Sequence, residues 1–120
     1  MHDTPESATR ALVDAIGRGD AAAATALFAD DATVFFPVDA APLRADGKAA
    51  IGEVFAKLLK PGNGVPPPPE DLRVQQRDEM AVVTFQMRNP HVTSRRTVVL
   101  ERRGERWLIV HLHGSNVRKD

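Results

Sequence analysis

The stretch Trp107-Leu108-Ile109-Val110-His111-Leu112-His113-Gly114-Ser115 constrains this chain more than any other, because it reads as a long strand with no solvent face. In a regular strand residues two apart share a side, so Trp107, Ile109, His111 and His113 line one side and Leu108, Val110 and Leu112 the other. Both sides need cover. Such a strand belongs between two packed layers, with helices over one side and a second sheet or subunit over the other.

The preceding residues supply the helices first. Thr4 can cap a helix with Pro5 at its first position, and Ala8, Leu12, Ala15 and Ile16 recur on one face until Gly17 and Gly19 stop it. Asp20 is placed to cap a second, alanine-rich helix through Ala24, Leu27 and Phe28, which Asp30 and Asp31 break. Thr33 to Phe36 then read as a strand, closed by Pro37, which cannot donate to a ladder. After a loop from Asp39 to Arg44, a third helix runs from about Gly47 to Lys60 with Asp46 as its cap. Its residues Ile51, Val54, Phe55, Leu58 and Leu59 make one apolar face, which has to lie on a sheet.

Pro61-Gly62-Asn63-Gly64-Val65 and the four prolines Pro66 to Pro69 read as a stiff, extended crossover, with a polyproline docking ligand as the alternative. Four strands follow: Leu72 to Arg77, Met80 to Met87, Thr93 to Arg103 and Arg106 to Asn116. Asp78-Glu79 and Gly104-Glu105 mark tight turns, and Arg88 to Val92 a wider one. Helices first and a meander of long strands last predict an α+β fold with an antiparallel sheet.

At 120 residues the chain is expected to form a single domain, residues 1–120, with room for a real core. It has no cysteine, so neither disulfides nor thiolate metal sites are available. No apolar run is long enough to span a bilayer and Met1 to Glu6 do not read as a signal sequence, so a soluble, cytoplasmic protein is expected. Lys plus Arg number 16, as do Asp plus Glu, so no overall field draws the chain to nucleic acid or membrane. Arg95, Arg96, Arg102, Arg103 and Arg106 are interleaved with strand residues and a turn, which fits a solvated face better than a nucleic-acid surface.

The order helix, helix, strand, helix, then four strands carries Leu27-Phe28-Ala29-Asp30-Asp31-Ala32 after Gly19-Asp20 and closes on Trp107-x-Ile109-x-His111-x-His113-x-Ser115. Over essentially its whole length the chain resembles the SnoaL-like branch of the nuclear transport factor 2-like superfamily. Ala29 to Val34, Pro37-Val38 and Ala49-Ala50-Ile51 are similar to ketosteroid isomerase, and the last strand is similar to the association domain of calcium/calmodulin-dependent kinases. The resemblance implies a curved antiparallel sheet wrapped round three helices into a cone, an apolar pocket inside, and a homodimer through the sheet's outer face. By the kinase resemblance that outer face holds Trp107, Ile109, His111 and His113.

Ketosteroid isomerase needs a carboxylate base, and an oxyanion hole made of a tyrosine and a neutral carboxylic acid. Transferring its pattern puts Leu12 at the tyrosine, Phe36 at the base, Phe55 at a supporting tyrosine and Val98 at the acid. The chain contains no tyrosine at all, so the resemblance extends to the fold and not to the isomerase chemistry. Expected pocket residues are Leu12, Ile16, Phe28, Val34, Phe36 and Phe55 from the first half of the chain. Val98, Leu100, Val110 and Leu112 join them from the last two strands.

Polar contacts to a ligand could come from Arg96, which shares parity with Val98 and Leu100, from Gln86, and from His91 in the loop after Pro90. His111 and His113 have a spacing that metal sites use, but no acid lies near them in sequence, so no metal and no cofactor is expected. The expected partner is an apolar small molecule, with a carboxylate if Arg96 grips it. The rivals are an isomerase, cyclase or dehydratase acting on a polyketide-like or steroid-like substrate through His91, Arg96 or Asp39, and a purely structural dimerisation module.

Overall fold

Helix α1 (Pro5–Gly17) starts as its sequence directs: the Thr4 hydroxyl accepts from the Ser7 amide at 3.0 Å, and Ser7 answers in a capping box. Helix α2 (Ala21–Thr25) is capped by Asp20, whose carboxylate accepts from the Ala23 amide. It stops short of Leu27 and Phe28, because the Leu27 carbonyl takes the Ile109 amide at 2.9 Å and draws the chain into the sheet. Gly19 (φ 70°) turns α1 into α2 hard against the end of the third helix; a Cβ there would stand 2.5 Å from the Lys60 carbonyl.

The computed structural model describes residues 3–62 and 67–118. Part of the crossover expected over Pro61 to Pro69, namely Asn63 to Pro66, lies outside those residues. Strand β1 (Phe28–Phe35) begins five residues earlier than its sequence pattern suggests. A two-residue strand not expected from the sequence, β2 (Ala45–Asp46), follows the expected loop and pairs with Thr33 and Val34. Asp46 therefore does not cap α3 (Lys48–Leu58); Gly47 occupies the cap and the Asp46 carboxylate takes Arg44 at 2.7 Å.

Strands β3 (Glu70–Arg77), β4 (Met80–Arg88), β5 (Val92–Arg103) and β6 (Arg106–Arg118) form the expected meander. The sheet order is β2-β1-β6-β5-β4-β3, and the helices lie over one face of it. Two expectations need correction. The sheet is mixed, since β1 runs parallel to β6. It is also open and not strongly curled or closed, so the cone is absent. Closure would need the two edges to pair, and β2 is too short while β3 is exposed along nearly its whole length.

A bulge decides which way β6 faces. Val99 pairs with His111 and the adjacent Leu100 with Ile109, so Val110 is left over. Trp107 and Ile109 before the bulge, and Leu112 after it, point to the helices and are buried, whereas His111 is half-exposed and His113 exposed on the opposite face. Trp107 and Ile109 thus do not stand with the two histidines on an outer surface; Ile109 is 0% exposed in the chain's own core. Phe28, Leu12, Ile51, Leu100, Val34, Val83 and Val98 are packed around it.

Candidate functional site

A cavity of about 180 Å³ opens where the C-terminal ends of α1 and α3 meet the sheet. Ile16 comes from α1, Phe55, Leu58 and Leu59 from the end of α3, Leu112 from β6 and Arg96 from β5. Phe36, Pro37 and Val38, leaving β1, form its mouth. A smaller space of about 50 Å³ beside it shares Ile16, Arg96 and Leu112 and adds Leu12, Val13, Phe85 and Met87. Phe36 and Phe55 meet edge to face at 5.4 Å between ring centroids, and Phe55 also packs on Phe28, so the cavity wall continues into the core.

Among the described residues Arg96 is the one charged residue lining either space. Alternation along β5 turns Ser94, Arg96, Val98 and Leu100 toward the helices, and Arg96 Nε donates to the Ser94 hydroxyl oxygen at 2.8 Å. That is the guanidinium's one hydrogen bond among the described residues. Burial pulls its pKa below the ordinary arginine value, and no carboxylate among the described residues opposes that pull. Each Nη stays accessible, because no buried side-chain donor among the described residues is left without a partner.

Of the expected pocket residues, Ile16, Phe36, Phe55 and Leu112 line the larger cavity and Leu12 the smaller one. Phe28, Val34, Val98 and Leu100 are packed solid beneath it, and Val110 sits half-buried at the bulge, lining neither space. Gln86 lies on the opposite face of β4 from the buried Ala81, Val83 and Phe85, where it accepts from Arg88 at 3.4 Å. His91 is exposed in the β4–β5 turn, and Asp39 is exposed as well; neither lines either cavity. Sequence reasoning missed Ser94, whose i, i+2 spacing to Arg96 was the signal for it. It also missed Leu58 and Leu59 as cavity wall, although their helical face was legible.

On the other face of the sheet, Thr33 Oγ1 lies 2.7 Å from His111 Nδ1, and the Phe35 ring packs on His111 and His113 at centroid distances of 5.5 and 5.2 Å. No three His, Asp or Glu side chains converge among the described residues as a metal ion would need.

A sheet with N-terminal helices on one face matches the nuclear transport factor 2-like superfamily, which is known for small-molecule binding. Within it the chain belongs to the SnoaL-like domain family, whose model matches residues 6–119.

Solved structures share the fold. A nuclear transport factor 2-like protein of unknown function from Pseudomonas putida is 22% identical, with 92% of this chain and 82% of that one covered at a TM-score of 0.77. A ketosteroid isomerase-like protein from Erwinia carotovora atroseptica is 19% identical over 93% and 92% of the two chains, with a TM-score of 0.76. A candidate calcium/calmodulin-dependent protein kinase type II association domain from Thiobacillus denitrificans is 17% identical over 98% of each, with a TM-score of 0.81. No curated protein matches the sequence significantly.

Proposed function

We propose that this SnoaL-like protein binds a largely apolar small molecule in the cavity under Phe36 to Val38, and that Arg96 holds a carboxylate on it. The observation that carries this reading is Arg96 itself, a half-buried guanidinium bonded, among the described residues, only to a neutral hydroxyl and lining a space those residues otherwise make apolar. Withdrawing a cation from water without a counter-charge is costly, and an incoming carboxylate would offset that cost with charge-assisted hydrogen bonds. The apolar walls would add roughly 25 cal/mol for each Å² of ligand they dry. With hydrocarbon at Leu12, Phe36, Phe55 and Val98, no residue is assigned to catalysis, and binding without isomerase chemistry is the reading we favour.

The protein is also proposed to pair as a homodimer through the sheet's helix-free face, where Phe35, Val82, Val99 and Leu108 sit half-exposed. A thermal-shift panel of flat apolar compounds, with and without a carboxylate, tests the binding reading on the wild type and Arg96→Ala. Stabilisation of the wild type by the acids, lost in the variant, is expected. Stabilisation by no compound would put the structural dimerisation module ahead.

A further inference from the structure

The geometry points to a narrower ligand class than an apolar acid in general: a compact monocarboxylic acid, one ring or a short branched chain across, whose carboxylate meets Nη1 and Nη2 of Arg96 end-on. This rests on the binding reading above and deepens it.

The approach direction follows from Ser94. A guanidinium offers a carboxylate two forks, one along its Nε edge and one at its tip. Ser94 is only 8% exposed and takes Nε at 2.8 Å, so the Nε edge is occupied by a buried neighbour on the same strand face. The tip is the fork that remains, and it is fixed in direction because Ser94 holds the other end.

The size limit follows from the walls. A cavity of ~150 Å³ lined by aliphatic and aromatic side chains accommodates benzene, so about 180 Å³ with the adjoining 50 Å³ suits one ring with its carboxylate, and a four-ring nucleus is far larger than benzene. Two contacts tie the mouth segment to β6. Pro37 lies against Gly114 so closely that a Cβ on the glycine would stand 3.0 Å from two ring carbons, and 3.3 Å from Arg96 Cδ. Asn116 Nδ2 donates to the Pro37 carbonyl at 3.1 Å and ties the same segment down from β6. Gly114 therefore seats Pro37 and the Arg96 stem together, and these contacts oppose the widening a steroid-sized body would need.

Titration calorimetry with benzoate, toluene and a steroid carboxylic acid tests this. The wild type should bind benzoate roughly ten- to hundredfold more tightly than toluene, the range expected for a hydrogen-bonded charge pair, and should not bind the steroid acid. Arg96→Met should bring benzoate down to the level of toluene and leave toluene unchanged. Arg96→Lys, which keeps the charge but not the fork, and Ser94→Ala should each weaken benzoate alone, so the outcome does not hang on one variant folding. Binding of the steroid acid as tightly as benzoate, or an unchanged benzoate-to-toluene ratio in the Arg96 variants, overturns the inference and leaves the cavity a binding site. Failure of every probe, toluene included, overturns the binding reading as well.

Discussion

Thr33 Oγ1 and His111 Nδ1 lie 2.7 Å apart across the parallel β1–β6 pair, joining the strand that leaves the helices to the strand that ends the meander. Burial, reinforced by the nearby His113 and Arg44, holds the His111 imidazole below the ordinary histidine pKa of 6.5, against the opposing effect of Thr33. With its pKa lower in the folded chain, the unfolded chain binds this proton more readily, so folding is favoured where both forms are neutral. The contribution of His111 should thus be present above about pH 6.5 and lost as pH falls below it toward the folded-state value. Urea midpoints between pH 7.5 and 5, compared with those of His111→Asn, measure it. Equal pH slopes in the two proteins would refute the assignment.

Ile51 and Leu58 share the apolar face of α3 but not its burial. Ile51 is 0% exposed, and Ile51→Ala should cost roughly 2–5 kcal/mol in equilibrium unfolding. Leu58 is half-buried at the cavity, so Leu58→Ala should cost clearly less, because it widens a space already open. A larger loss from Leu58→Ala would mean that the cavity is closed in solution.

Assembly can be separated from folding by substituting on the helix-free face of the sheet. Val99→Glu or Phe35→Glu on the half-exposed side should give a folded monomer by light scattering at concentrations where the wild type is a dimer. Ile109→Glu places a charge in the core and should unfold the chain instead. A folded dimer carrying both outer substitutions would remove this face from the interface.

Conversion of an unconjugated to a conjugated enone should be undetectable by its ultraviolet band. Phe36 lines the cavity where the resemblance to ketosteroid isomerase puts the base, and no carboxylate among the described residues lines either space. Robust turnover would mean that the residue transfer from ketosteroid isomerase was misaligned.

Much of the scaffold was legible because its causes are local. Thr4, Pro5 and Asp20 act on amides within four residues, and the α3 face and the turns at Asp78 and Gly104 depend on near neighbours along the chain. Arg96 was legible too, since its parity with Val98 and Leu100 aims all three toward the helices. Gln86 was not, because alternation in β4 fixes two sides and does not say which is inner.

The amino-acid sequence by itself determined α1, α3 and the four-strand meander, and that Arg96 would share a face with the core of β5. Only the tertiary structure decided that β1 lies parallel to β6, that the sheet stays open, and that Val110 is the extra residue which turns Trp107 and Ile109 inward and leaves His111 and His113 outside. The physical reason is register. From Trp107 to Leu112 every residue but His111 is apolar, so either face satisfies the local pattern, and the choice falls to pairing with Val99 and Leu100 on the neighbouring strand.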